Sequence, residues 1–294
     1  MAGVNFCHIA PTSYLDYVKK YPVHLLLAHL IEEDEQYRNF YINLKKDNPE
    51  VFYHMDNSAF EMFKRGTSMY PSDKLIDMAK LVGADSIVMS DYPKEHYTKT
   101  IDQAVRQIPT IKAAGFKTFF CPQSELSHIG GLLRSFEWAL NNVDIDFIGV
   151  SILACPIALG VNEQKHDADT PRDDAYRMQR YLSRWKVLRL LEKNGMLDAK
   201  AVKRFHCLGL TDGPNEIDLL APYHHFIYSW DSSSAIWHGI NGISYDMSPT
   251  GLSGGKFEKE VDFSIEKTDN HWQHIVDNIS YVNGLCKKEK TYEL

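Results

Sequence analysis

Short apolar segments alternate with longer amphipathic segments along this chain. Eight apolar segments, which begin near residues 4, 23, 51, 86, 117, 146, 205 and 225, are rich in β-branched and aromatic residues and predict buried strands. Between them, apolar residues recur with helical spacing, as in residues 72–82, where Ser72 is the predicted N-cap, and in residues 98–114, which stop at Gly115. This alternation predicts parallel strands with right-handed helical crossovers, and eight units predict an α/β fold of the (β/α)8 type, a TIM barrel.

The prediction of one domain follows from the absence of any internal repeat or low-complexity linker over residues 1–294. Within that domain we expect a basic helical insertion at about residues 160–204 and a C-terminal helix at about residues 270–285. Both features fit a barrel of ordinary size, because barrels of this length are routinely one domain.

Composition narrows the function classes only moderately. Hydrophobic residues make up 44% of the chain and charged residues 24%, with a net charge of −7, as in many globular proteins. No apolar run is long enough to predict a membrane span, and the N-terminus lacks the pattern of a secretory signal, so we expect a cytoplasmic protein without a membrane partner. The five cysteines are far apart, which predicts free thiols and argues against a Cys-x-x-Cys metal site.

The positive charge is concentrated in residues 171–204, which hold ten basic and four acidic side chains. This excess makes a set of basic residues candidates for binding the phosphates of a nucleic acid: Arg172, Arg177, Arg180, Arg184 and Lys186. The alternative is a solvated helix face with ion pairs along the helix. Composition leaves both interpretations open.

Candidate chemistry lies where the predicted strands end. In a (β/α)8 barrel the catalytic groups sit at the carboxyl ends of the strands. Six residues fall there in this chain: Asp56, Asp91, Gln123, Gly149, Gly209 and Asp231. Asp56 and Asp231 are each followed by small polar residues, and two carboxylates suffice for displacement at a sugar carbon. The alternative for each is a local Asx-turn. Histidines in the strands are interpreted as core residues, and no metal ligand set is predicted.

These motifs, taken in order, resemble those of the tRNA-guanine transglycosylases. Asp56-Asn57-Ser58-Ala59-Phe60-Glu61 resembles that family's Asp-Ser-Gly-Gly-Phe-Gln motif. Five further segments match by order and spacing over roughly residues 4–240: the strand that ends at Asp91, Phe120-Cys121-Pro122-Gln123, Ile148-Gly149-Val150, Leu208-Gly209-Leu210 and Trp230-Asp231-Ser232. The resemblance implies the same barrel and a base-exchange reaction.

The departures from the family pattern indicate one branch of it. The tRNA-acting members have a zinc site of three clustered cysteines and a histidine after the nucleophile, whereas this chain has only Cys286 there. We therefore expect no zinc subdomain and no RNA-binding domain after the barrel. A compact member of this kind resembles the phage DpdA-type proteins, which insert 7-deazaguanines into DNA, so the host cytoplasm is the expected location if the chain is phage-encoded.

The resemblance implies a role for each matched residue. Asp231 would be the nucleophile and Asp56 the general acid and base, while Asp91, Gln123, the Gly149 N–H, Gly209 and a stacking Phe60 would bind the base. No cofactor is needed. The implied partners are DNA, presenting a single-stranded or flipped-out guanine, and a free base such as 7-cyano-7-deazaguanine, and the wider family adds a homodimer as an open alternative. Three other functions remain: tRNA-guanine exchange, a two-carboxylate N-glycoside hydrolase, and a nucleic-acid-binding barrel without catalysis.

Overall fold

Eight parallel strands form the centre of the protein. The computed structural model describes residues 3–161, 173–210, 212–254 and 259–287. The strands are β1 Asn5–His8, β2 Val23–Leu27, β3 Phe52–Asp56, β4 Ser86–Val88, β5 Lys117–Phe120, β6 Phe147–Ser151, β7 Phe205–Leu208 and β8 Ile227–Ser232. Each lies at a predicted position, so the prediction of eight strands is confirmed.

The sheet curves into a nearly closed barrel. Hydrogen-bonded neighbours follow the order β1-β8-β7-β6-β5-β4-β3-β2, with every pair parallel. The two strands at the ends of this order, β1 and β2, also lie side by side. The predicted (β/α)8 TIM barrel is confirmed.

Helices connect the strands and cover the outside of the barrel. The described residues contain α1 Ala28–Glu33, α2 Glu35–Asp47, α3 Ala59–Arg65, α4 Ser72–Val82, α5 Tyr97–Ala113, α6 Ile129–Asn141, α7 Ala154–Ala158, α8 Asp174–Tyr181, α9 Ser183–Lys193, α10 Glu216–Leu219, α11 Ser234–Ile240 and α12 Trp272–Lys287. Short 3₁₀ turns occupy Thr12–Tyr17, Ala199–Ala201 and Ala221–Tyr223. None of the helices in the described residues is both long and apolar enough to cross a bilayer.

Local sequence explains where several helices begin and end. The Asp34 carboxylate accepts a hydrogen bond from the Tyr37 N–H at 3.0 Å and so caps α2. Helix α4 ends at Gly83, which has the left-handed φ of +70° that glycine adopts without strain. The predicted N-cap at Ser72 is wrong: Pro71 precedes α4, and the Ser72 hydroxyl instead accepts a hydrogen bond from Gln107 Nε2 at 2.8 Å.

An aromatic layer closes the amino-terminal end of the barrel. Phe52, Phe147 and Tyr228 meet there, with ring centroids 5.3 to 5.9 Å apart. The Lys117 ammonium lies 5.3 Å from the centroid of the Phe52 ring, on the same layer. We call these four residues the aromatic floor, because they separate the polar interior above them from that end of the barrel.

Candidate active site

Carboxyl and amide side chains from four strands meet at the carboxyl end of the barrel. Asp56 is the last residue of β3 and Asp231 lies next to the end of β8. Asp91 and Gln123 follow β4 and β5. The sequence predicted that these four residues lie on one rim, and in the structure they do lie at the same end of the barrel. Parallel strands in one barrel require this, because all of their carboxyl ends lie on the same rim.

Asp231 is held by one of its two oxygens. Its Oδ1 lies 2.8 Å from His206 Nε2 on the neighbouring strand β7. The same oxygen accepts a hydrogen bond from the Gly209 N–H at 3.3 Å. No hydrogen bond to Oδ2 is found within the described ranges of the chain. The carboxyl group is thus fixed in orientation, with one oxygen left for other chemistry.

Gly209 contacts Asp231 through its N–H and has a left-handed backbone, with φ of +75°, which glycine adopts without strain. Its carbonyl accepts hydrogen bonds from Trp230 Nε1 at 2.8 Å and from Arg184 Nη2 at 2.9 Å. The peptide whose N–H points at Asp231 is the preceding one, and its Leu208 carbonyl accepts a hydrogen bond from Arg184 Nη1 at 3.2 Å. Arg184 thus holds the peptide groups on both sides of Gly209. The residue predicted to bind substrate therefore contacts the predicted nucleophile.

Asp56 lies in surroundings that favour its protonated form. Burial raises the pKa of this carboxyl well above its usual value, and the neighbouring Glu61, Asp231 and Asp91 raise it further. The Ser58 N–H, which donates to Asp56 Oδ2 at 2.8 Å, acts in the opposite direction but does not offset the rest. The side chain still retains partial exposure. A partly accessible carboxylic acid is the form that a general acid needs.

Glu61 is a fourth carboxyl group at the site, and its role was not predicted. It lies in the first turn of α3, directly after the strand end that presents Asp56. Burial raises the pKa of Glu61, and the charge of Asp231 contributes in the same direction. Lys64 and Arg65 lower it in part. The charge of Asp231 thus raises the pKa of both Asp56 and Glu61.

Asp91 and Gln123 form a buried polar pair. Asp91 Oδ1 accepts from Asn57 Nδ2 at 2.9 Å, and Oδ2 accepts a short hydrogen bond from Gln123 Nε2. Burial raises the pKa of Asp91, although both of these hydrogen bonds lower it. Gln123 Oε1 is buried without a hydrogen-bond partner in the described part of the chain. An orphaned acceptor beside a carboxyl group favours a ligand that brings N–H donors.

Gly149 and Phe60 differ in how closely the protein surrounds them. A Cβ atom on Gly149 would lie 2.8 Å from Cys121 Sγ and 2.9 Å from Leu208 Cδ1, so neighbouring side chains already fill the space that a side chain would need there. Phe60, on α3, is 42% exposed, and the Lys64 ammonium lies 4.4 Å from its ring centroid. The ring is therefore partly exposed, and the Lys64 ammonium lies over it.

The predicted phosphate-binding set of basic residues is wrong for two members. Arg184 is fully buried and forms an ion pair with Glu216, with Nε 2.7 Å from Oε1. Arg180 is also buried, against the Tyr176 ring. Arg177 is mostly covered and pairs with Asp174 at 3.1 Å.

Of the remaining two members, Lys186 is partly exposed, and Arg172 lies outside the described residues. The physical reason for the error is helical spacing. Arg184 shares its face of α9 with Val187, Leu188 and Leu191, all of which are buried in the core.

The sequence interpretation assigned His206 and His54 to the core without connecting them to the site. Both are fully buried, yet His206 contacts Asp231 directly. The signal was present as period-two spacing: His54 precedes Asp56 by two positions and Ser229 precedes Asp231 by two. Residues two apart on a strand share a face, so each pair points into the barrel together.

Comparisons with known proteins leave the site to be interpreted from its geometry. Neither protein-family models nor curated proteins give a match to this chain. Within the ranges that the structure describes, no three His, Cys, Asp or Glu side chains are grouped so as to hold a metal ion.

Proposed function

We propose that this protein is a base-exchanging transglycosylase that replaces guanine in DNA with a 7-deazaguanine through a covalent intermediate on Asp231. The observation that carries the proposal is that two carboxyl groups of the site differ in their hydrogen bonding and in their pKa. Asp231 has one oxygen fixed by two contacts and the other without a partner in the described residues, whereas the raised pKa of Asp56 favours its acid form. A nucleophile and an acid are what this reaction requires.

In the first half of the reaction, Asp231 Oδ2 attacks C1′ of the target nucleotide while the C1′–N9 bond breaks. The Asp56 carboxyl group gives its proton to the departing guanine, which leaves neutral. The products are a glycosyl ester on Asp231, free guanine and the Asp56 carboxylate.

In the second half, N9 of the incoming 7-deazaguanine attacks C1′ and its proton passes to Asp56. The ester bond breaks and Asp231 returns as a carboxylate. One N-glycosidic bond replaces another, so the reaction needs neither a nucleotide triphosphate nor a redox cofactor.

Asp91 and Gln123 support a guanine-like base in this site. As placed, the Gln123 N–H₂ donates to Asp91, and Oε1 is the free group. The Asp91 carboxyl group and Gln123 Oε1 are both hydrogen-bond acceptors. Together they suit a purine that donates from N1–H and from its exocyclic amine. This differs from the expected contact between Gln123 and O6, which would require the amide to face the other way.

The choice of DNA rests on the resemblance to the zinc-free phage-type proteins. The cluster lies at a barrel mouth, and Asp91, Gln123 and Asp231 are all buried. A target nucleotide would have to leave its base stack to reach them, so single-stranded DNA or a flipped-out guanine is the substrate form that fits. Unstacking costs least in single strands.

The test follows labelled guanine into duplex DNA, single-stranded DNA and tRNA. Three proteins are compared: wild type, Asp231→Asn and the control Asp277→Asn, which changes an exposed carboxylate on α12. Incorporation into DNA alone, abolished by Asp231→Asn and retained by Asp277→Asn, supports the proposal. Incorporation into tRNA contradicts the assignment of DNA as the substrate.

Two further outcomes distinguish the other functions. Release of guanine from DNA without incorporation indicates an N-glycoside hydrolase, because water then replaces the incoming base. Binding of DNA with neither release nor incorporation indicates a barrel that binds nucleic acid without catalysis.

A further inference from the structure

A continuous series of hydrogen-bonding side chains runs from Asp231 into the barrel. His206 Nδ1 lies 2.6 Å from Ser229 Oγ, and the same hydroxyl lies 3.3 Å from His54 Nε2. His54 Nδ1 in turn lies 2.6 Å from Ser86 Oγ. All four residues are fully buried. We call His206, Ser229, His54 and Ser86 the imidazole relay.

The strands bring these residues together through a local irregularity. Phe205 pairs with Ile227 and His206 pairs with Ser229, so Tyr228 has no partner on β7 and forms a bulge in β8. Because of the bulge, Tyr228 joins the aromatic floor while the next residue, Ser229, still points inward. A regular strand would place only one of these two residues inside.

The surroundings of the two rings are apolar on most sides. The His54 and His206 centroids are 5.2 Å apart, and Phe119 lies 5.4 and 5.3 Å from them. Burial lowers the pKa of His54 well below its usual value, and the nearby His206 and Lys117 lower it further. His54 is therefore neutral, with a proton on only one of its two nitrogens.

A single hydroxyl proton on each serine couples the protonation of the two rings. Ser229 can donate to His206 Nδ1 or to His54 Nε2, but not to both. If His206 is neutral with its proton on Nε2, Ser229 donates to it and His54 carries its proton on Nε2. If His206 is an imidazolium, Ser229 donates the other way and the proton of His54 moves to Nδ1. The tautomer of His54 thus reports the charge of His206.

We propose that the relay holds His206 neutral, with every hydrogen bond donated toward Asp231, so that His206 is a positioning residue for this carboxylate. In order, Ser86 donates to His54, His54 to Ser229, Ser229 to His206, and His206 to Asp231 Oδ1. A buried imidazolium would carry a charge into apolar surroundings, and its positive charge beside Asp231 would offset the negative charge of the nucleophile. The neutral relay fixes the carboxylate without cancelling its charge.

This inference rests on the proposed function for its chemical meaning, since positioning matters for an oxygen that attacks. With Oδ1 engaged by His206 and Gly209, rotation of the carboxyl group is restrained, and Oδ2 is the oxygen without a hydrogen-bond partner in the described residues. An orientation fixed before substrate arrives removes an entropic cost from the attack.

The first test reads the ring tautomers directly and needs no turnover. Protein labelled with ¹⁵N-histidine is studied by NMR at pH 7, with signals assigned through His54→Phe and His206→Phe. We expect both rings to be protonated only on Nε2. His206 protonated on both nitrogens with His54 protonated on Nδ1 overturns the proposal, whatever the enzyme is found to do.

The second test separates positioning from structural support. Ser229→Ala removes the hydroxyl that orients His206, and Ser135→Ala is the matched control, because Ser135 is equally buried and its hydroxyl has no hydrogen-bond partner in the described residues. Losing one such hydrogen bond should lower kcat for guanine exchange about tenfold with an unchanged KM. Equal kcat in Ser229→Ala and Ser135→Ala overturns positioning.

A third variant keeps the proposal testable if large changes at His206 impair folding. His206→Gln retains an N–H donor for Asp231 and should keep more activity than His206→Phe, with folding of each checked by thermal unfolding. If His206→Phe folds and matches His206→Gln, the donor is irrelevant and the proposal fails. If wild-type protein exchanges no guanine, the proposed function fails, while the tautomers still decide the relay.

Discussion

Replacing Arg184 with methionine should destabilise the protein strongly, although charge patterning made this residue a candidate for binding nucleic acid. Its guanidinium forms the ion pair with Glu216 and also donates to the carbonyls of Val150 and Leu208, both at 3.2 Å, as well as that of Gly209. It lies 4.6 Å from the centre of the Trp230 ring. Arg184→Met would take the Arg184 ion pair away from the buried Glu216 carboxylate, and breaking a buried pair by removing one member costs about 3–5 kcal/mol.

The assay is the free energy of unfolding from denaturant titration, supported by thermal unfolding. For a chain of 294 residues the expected loss corresponds to a Tm lower by roughly 5–8 °C. Arg189→Met is the matched control on the same helix, because Arg189 is exposed and pairs with Glu192 at the surface. Such a pair contributes about 0–1 kcal/mol. Adding Glu216→Met to Arg184→Met should restore part of the lost stability, since it removes the buried charge that has lost its ion pair with Arg184.

Two results would refute this reasoning. One is an unfolding free energy for Arg184→Met equal to that of Arg189→Met. The other is a well-folded Arg184→Met protein whose DNA affinity depends less steeply on salt concentration, by the equivalent of about one phosphate contact. That change is expected when a side chain that binds the DNA backbone is removed.

Three further substitutions test other parts of the site. Asp56→Asn should stabilise the protein at pH 7, because the raised pKa of Asp56 makes its ionisation unfavourable in the folded state; the gain should shrink as the pH of the denaturation experiment falls toward the ordinary Asp pKa of about 4. Gly149→Ala should cost about 1–3 kcal/mol in denaturant titrations, since its Cβ would overlap Cys121 Sγ. Gln123→Leu should raise KM for free guanine at least about tenfold in exchange assays, because it removes the orphaned acceptor and one donor to Asp91.

The barrel could be predicted from sequence because its strands and helices are specified locally. Apolar segments such as Val51-Phe52-Tyr53 end in polar residues, and glycines such as Gly83 and Gly115 follow the helices. In parallel strands the direction of the chain alone places every strand's carboxyl end on one rim. For this reason the positions of Asp56, Asp91, Gln123 and Asp231 followed from one-dimensional information.

What could not be predicted depends on contacts between strands that are distant in sequence. The contact of His206 with Asp231 requires the register of β7 against β8, which the bulge at Tyr228 changes by one residue. The burial of Arg184 depends on a glutamate 32 positions away, Glu216, and neither residue signals its partner. Charge counts average over a segment, whereas burial is decided by which face of the helix each residue occupies.

The aromatic floor has a consequence for how solvent protons reach the interior. Phe52, Phe147 and Tyr228 cover the relay from one end, so deuterons from D₂O would reach the imidazole N–H groups from the barrel mouth. A base seated between Asp91 and Asp231 would cover that route and lengthen the lifetime of the His206 N–H signal. The rate of deuterium exchange at the His206 imidazole therefore measures how fully a base occupies the site. Bases that bind without reacting can be ranked in this way alongside those that react.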